Sequence, residues 1–122
     1  MSEMNILYID DEEDLVSLAS SFFEEEGIPI DSCTNFEVAL TKIRSKKYDL
    51  IISDSRMPSG TGRQLVETIR REGIFDGKFM LLTGNLDFKL EEEKSLYDMV
   101  IYKPLRFMEL IDKVKSMLSI KV

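Results

Sequence analysis

Short apolar runs alternate with amphipathic helical stretches along the whole chain, and that alternation leaves few folds open. Residues 5–9 (NILYI) form a compact apolar run that ends at Asp10 and Asp11. Residues 13–26 then place Leu15, Leu18, Ala19 and Phe22 at helical spacing and stop at Gly27. Residues 28–34 read as a second strand, and Thr34 with Glu37 reads as a capping box for a helix carrying Val38, Ala39 and Ile43. Residues 48–53 read as the third strand, and Thr61 with Gln64 as a second capping box, before Leu65, Val66 and Ile69. Residues 78–83 (KFMLLT) read as the fourth strand, 87–98 as a less clearly amphipathic helix and 99–102 as the fifth strand. A last helix carries Phe107, Leu110, Ile111, Val114 and Leu118 down one face. Strict β–α alternation implies a single α/β domain, (βα)5, with helices on both faces of a parallel sheet. The strands are continuously apolar rather than alternating, as burial on both faces requires.

The counts narrow the chemistry. With 122 residues the chain has the size of one domain. Lys and Arg number 16 against 23 Asp and Glu, a net charge of −7, which argues against nucleic-acid binding and against adhesion to anionic membranes. A single cysteine, Cys33, allows no internal disulfide. No apolar run approaches the ~20 residues of a membrane span, and the acidic start (MSEMNILYIDDE) is unlike a signal peptide. The chain therefore reads as soluble and cytoplasmic. The absence of histidine removes Ser-His-Asp and Cys-His catalysis and the commonest zinc ligand. Carboxylates, lysines, hydroxyls and a hard metal ion remain.

In a doubly wound sheet of order 2-1-3-4-5, ligands bind beyond the carboxyl ends of the strands, where the strand order reverses. The first strand ends in Asp10 and Asp11, the third in Asp54, the fourth in Thr83 and the fifth in Lys103-Pro104. Taken singly, the acidic pair could cap a helix, Asp54 could be a turn residue, Thr83 a strand terminus and Lys103 a solvated loop lysine. Taken together, three carboxylates converge from two adjacent strands and stay ionised only if cations offset them. Oxygen-only ligands favour Mg²⁺, and Lys103 adds positive charge. A metal ion, an ammonium and a hydroxyl are what phosphoryl transfer needs, and a carboxylate can be its nucleophile. Asp54 is the candidate, alone at its strand end and facing the acidic pair.

The stretches "ILYIDDE" (6–12), "DLIISDSRMPSGTG" (49–62), "LLTG" (81–84) and "YKP" (102–104), in that order, resemble a response-regulator receiver domain of the CheY-like family. The resemblance covers essentially the whole chain and implies a flavodoxin-like fold. It implies that Asp54 is the phospho-acceptor and that Asp10 and Asp11 line an acidic pocket. It further implies that Asp11 and Asp54 bind Mg²⁺ with their side chains and Arg56 through its backbone carbonyl. Thr83 would hydrogen-bond the phosphoryl group and Lys103 would pair with it, and the Lys103–Pro104 bond would be cis. A histidine kinase or histidine phosphotransfer protein would be the donor, because the chain has no histidine of its own. Output would pass through the face of the fourth helix, fifth strand and fifth helix, to a protein target or a second copy. Residues 1–122 are expected to be a single receiver without an output domain.

Some positions depart from the family pattern. The place three before the lysine, usually an aromatic switch, holds Val100, while Tyr102 follows two residues later on the same strand face. Tyr102 would then stand in for the switch, or signalling does without one. Gly84 follows Thr83 where alanine is commoner, and Arg56 and Asn85 occupy positions that tune the lifetime of the phosphoryl group. Glu91, Glu92 and Glu93 read as a solvated face or an acidic docking surface. Two alternatives are a degenerate receiver that binds without phosphorylation and a Mg²⁺-dependent phosphohydrolase. The second lacks an acid two residues past Asp54, where Arg56 stands.

Overall fold

The computed structural model describes residues 4–84, 94–104 and 106–118. Strands β1 (Ile6–Ile9), β2 (Asp31–Cys33), β3 (Leu50–Asp54), β6 (Lys78–Thr83) and β7 (Met99–Tyr102) form one parallel sheet in the order β2-β1-β3-β6-β7. Two further strands, β4 (Arg56–Met57) and β5 (Gly60–Thr61), pair as a small antiparallel hairpin that the sequence reading lacked. With that hairpin set aside, the sheet has the expected 2-1-3-4-5 order. The described helices are α1 (Glu13–Glu25), α2 (Phe36–Ser45), α3 (Gly62–Arg71) and α4 (Phe107–Met117), with a 3-10 turn at Lys94–Leu96. Of the helix expected over 87–98, residues 94–96 form this turn, while 87–93, with Glu91 to Glu93, lie outside the described residues.

Strand parity divides the core in two. Leu7, Ile9, Ile51, Phe79 and Leu81 pack on one face with Leu40 and Ile43 of α2 and Leu65 and Ile69 of α3. Ile6, Tyr8, Leu50, Ile52, Met80 and Leu82 pack on the other with Val16 and Phe23 of α1 and Leu110 and Val114 of α4. Apolar side chains on both parities are what a doubly covered sheet demands.

Helix ends follow local chemistry. Gly27, at φ 77°, ends α1 in a Schellman motif: Ile28 N–H donates to Phe23 O at 2.9 Å and Gly27 N–H to Glu24 O at 2.9 Å. That turn and Pro29, which has no N–H, delay β2 to Asp31, three residues after its expected start. The capping box at Thr61 and Gln64 forms as expected. The one expected at Thr34 does not: the cap of α2 is Asn35, whose Oδ1 accepts from Val38 N at 2.9 Å.

The turn between β4 and β5 carries strain. Ser59 has φ 72°, a left-handed conformation that costs an L-residue about 1–2 kcal/mol. Ser59→Gly is expected to stabilise the protein by about 0.5–1 kcal/mol, less than the strain because glycine loses more entropy on folding. A urea titration checks this, and an unchanged midpoint would show that the turn relaxes around serine.

Asp31 ties β2 to the start of β3. Tyr48 Oη donates to its Oδ2 at 2.7 Å and Lys46 Nζ at 2.9 Å. Partial burial by itself would raise the Asp31 pKa, but these two hydrogen bonds outweigh it and hold the carboxyl below its ordinary value. The unfolded chain therefore binds this proton more tightly than the native state. Asp31 contributes stability that is full above about pH 4 and is lost as pH falls through the depressed native value. Asp31→Asn should cost about 0.5–1 kcal/mol near pH 7, since the pair is half-exposed. The deficit should vanish in strong acid, and a pH series of urea titrations checks it.

Candidate functional site

Strand register brings the charged residues to one edge. Ile9 pairs with Ser53, so the next residues, Asp10 and Asp54, fall opposite each other at the carboxyl ends of neighbouring strands. Asp54 pairs with Leu82, and Thr83 with Tyr102. Lys103 N–H then donates to Thr83 O at 2.8 Å, which holds the lysine at the same edge. From β1 the chain crosses to β2 on one side and from β2 to β3 on the other, so this edge is the switch point of the sheet.

Asp10 is fully buried and Asp54 is 8% exposed, while Asp11 is exposed. One carboxylate oxygen from each of the three lies within 4.8 Å of the others. Lys103 Nζ lies 3.2 Å from Asp54 Oδ2 and 3.8 Å from Asp10 Oδ2. Asp10 Oδ1 accepts from Glu12 N at 3.0 Å, so Asp10 shapes the turn into α1, but it does not cap that helix: the N-cap is Glu12, with no side-chain cap hydrogen bond. Burial pushes the Asp54 pKa above the ordinary carboxylate value; Lys103 works against that, and Asp10 and Asp11 add to it. The donor set fits a small hard cation: oxygen atoms only, in a net-negative cluster and close enough for one ion to bridge.

Thr83 is fully buried. Val100 packs against the core on the α2 and α3 side, whereas Tyr102, on the same strand face, is 43% exposed. Arg56 opens β4, two residues past Asp54, with its side chain exposed. The Lys103–Pro104 peptide is cis, as the resemblance implied. Asn85 lies outside the described residues.

Two contributors escaped the sequence reading. A Cβ on Gly62 would lie 2.6 Å from Leu81 Cδ1 and 2.9 Å from Asp54 O, so glycine is needed there for close packing against the backbone of Asp54. Tyr8 looked like one more apolar strand residue, yet its hydroxyl donates to Asp10 Oδ2 at 3.5 Å. Burial, followed by the charges of Asp10 and Asp54, pushes its pKa well above the ordinary value and keeps it a donor. Its signal was its position two residues before Asp10, on the same strand face. Another cleft, of about 420 Å³ between the ends of α2 and α3, lies away from this edge; its Arg44 and Lys46 are already paired with Glu72 and Asp31.

A doubly wound sheet whose switch point carries buried carboxylates, a lysine and a threonine defines a class of α/β protein that handles anionic groups with a hard cation. Within that class the chain belongs to the response regulator receiver domain family, whose pattern matches residues 6–115. It is 27% identical to the response regulator SaeR of Staphylococcus aureus, over 94% of this chain and 50% of that protein, and so spans about half the length of that relative. Among solved structures, TrrA of Thermotoga maritima, in complex with Mg²⁺–BeF, is 35% identical with a TM-score of 0.82, over 93% of this chain and 98% of that one. A two-component response regulator from Clostridium difficile is 33% identical with a TM-score of 0.85, over 97% and 98% of the two chains. The chain is thus a receiver domain of phospho-accepting two-component signalling, a class that generally binds Mg²⁺. No helix among the described residues is long and apolar enough to cross a membrane.

Proposed function

We propose that this receiver takes a phosphoryl group from a partner phosphohistidine onto Asp54, holds it for a limited time and releases it by hydrolysis. The observation that carries this reading is the Asp54–Lys103 contact of 3.2 Å inside a partly buried acidic cluster. An Asp54 oxygen attacks phosphorus, an O–P bond forms, and the P–N bond to the imidazole breaks. The leaving nitrogen keeps the electron pair and takes up a proton. Lys103 and the hydroxyl of Thr83 balance the charge on the phosphoryl oxygens. Asp10, Asp11, Asp54 and the Arg56 carbonyl would hold Mg²⁺, which when bound offsets charge on the transferring group. Water later hydrolyses the acyl phosphate, at a rate tuned by Arg56 and Asn85.

Phosphorylation then draws Thr83 towards the phosphoryl group and shifts a two-state equilibrium. Tyr102, paired in register with Thr83 and exposed, passes this change to the face around β7 and α4. That face contacts a protein target or a second copy of the chain, and the setting is cytoplasmic. Incubation with Mg²⁺ and a small phosphodonor, followed by intact mass measurement, should give one phosphoryl adduct. An unmodified wild-type chain under conditions that label another receiver would favour a phosphorylation-independent binding module.

A further inference from the structure

The ring of Tyr8 is 1% exposed and packs in the core beneath α1 and α4. Its hydroxyl leaves that core at the carboxyl edge of the sheet and reaches Asp10 Oδ2. Among the described residues, two hydrogen-bond donors and one ammonium face the Asp10 carboxylate. The backbone N–H of Glu12 holds Oδ1 at 3.0 Å. Oδ2 faces the Tyr8 hydroxyl at 3.5 Å and the Lys103 ammonium at 3.8 Å. Lys103 is closer to Asp54, at 3.2 Å, so Tyr8 is the uncharged donor on the oxygen that Lys103 leaves half-served. Tyr8, Asp10 and Lys103 also share the wall of a cleft of about 430 Å³, completed by Glu12, Leu15, Pro104 and Phe107.

We infer that Tyr8 is a positioning residue for the cation site: its hydroxyl fixes the plane of the Asp10 carboxylate and leaves Lys103 to Asp54. The inference rests on the reading of Asp10, Asp11 and Asp54 as the cation-binding set. The terminal torsion of an aspartate is broad, so nothing within Asp10 itself sets the direction of its oxygens. Without the hydroxyl, the carboxylate turns more freely and Lys103 closes on Asp10, adding positive charge at the cluster that would hold the cation. Both consequences weaken Mg²⁺ binding. Partners that orient metal ligands are worth about 10–100-fold in affinity.

Tyr8→Phe keeps the ring and its packing and removes only the donor. Calorimetric Mg²⁺ titration of the whole chain should show affinity about 10-fold weaker than wild type, the low end of that range. The melting temperature in EDTA should stay close to wild type, which separates positioning from a general loss of structure. Tyr8→Met, which fills the space without a hydroxyl, should lose the same affinity even if its melting temperature falls. Wild-type affinity in Tyr8→Phe overturns the inference, as does an affinity loss that follows the melting temperature from variant to variant. A wild-type chain that binds no Mg²⁺ also overturns it. If Mg²⁺ binds, Tyr8→Phe weakens it, and yet no phosphoryl adduct forms on wild type, Tyr8 keeps its role and the proposed function fails alone.

Discussion

Asp54→Asn is expected to abolish the phosphoryl adduct and, in EDTA, to raise the melting temperature. The first effect is complete, because an amide has no carboxylate oxygen to attack phosphorus. The second follows from the cost of the charge. Asp54 is 8% exposed and shares its space with Asp10 and Asp11, with the Lys103 ammonium among the described residues to offset them. Burial first, and the two neighbouring carboxylates after it, raise the Asp54 pKa against the pull of Lys103. The native state therefore binds this proton more tightly than the unfolded chain, whose value is near 4. Stability conferred through Asp54 falls as pH rises from about 4 through the raised native value, and above that window the full cost is present. Removing one of three clustered negative charges, and its desolvation cost, should gain about 1 kcal/mol near neutral pH, because Lys103 keeps Asp10 as a partner. In a domain of this size that is roughly 3–6 °C. The advantage of Asp54→Asn should shrink as pH is lowered to about 4. Intact mass and melting curves check the two halves. An adduct on Asp54→Asn would move the acceptor elsewhere, and a lower melting temperature would mean that the Lys103 pair outweighs burial.

Much of this site was legible because it stands on the part of the fold that sequence specifies best. Continuous apolar runs mark β1, β3 and β6, and the residues just past such runs must lie at the carboxyl edge. Strand order then makes Asp10 and Asp54 neighbours. What was not legible was either too short or too local to show a pattern, or depended on contacts between segments far apart in the chain. The hairpin β4–β5 has two residues per strand, too short to show a period. Its turn also affects α2: Pro58 O accepts from Phe36 N at 3.3 Å, next to Asn35, which caps that helix in place of Thr34. The glycines after Asp54 also work through packing rather than through a positive φ. Gly60 makes room for the ring of Phe36 and Gly62 for Leu81, while the positive φ falls on Ser59. Tyr8 was missed because a residue counted as apolar carries its one polar atom at the tip of a buried ring.

Lys103→Met should move two measurements of the same site in opposite directions. Lys103 is the cation that Asp54 and Asp10 share, at 3.2 and 3.8 Å, and its side chain is 27% exposed. At an effective dielectric of 20, a pair of unit charges about 4 Å apart interacts by roughly 4 kcal/mol before the cost of desolvation, so its loss is felt across the cluster. Methionine keeps most of the stem and removes the charge, leaving the carboxylates to repel one another. In EDTA the protein should lose about 1–3 kcal/mol, less than for a fully buried pair because water reaches the lysine. Mg²⁺ should bind more tightly, by roughly 10-fold, about 1.4 kcal/mol, because a competing positive charge has left the carboxylate cluster that would hold the metal. Phosphoryl transfer from a small donor should nonetheless slow by about 10²–10³-fold, the usual loss when a preorganised charge aimed at the transition state is deleted. Calorimetry and timed intact mass measurements separate these effects. Weaker Mg²⁺ binding would make Lys103 a support for the metal site rather than its competitor. Unchanged transfer with tighter metal binding would remove Lys103 from the chemistry and leave the cation and Thr83 to balance the phosphoryl charge.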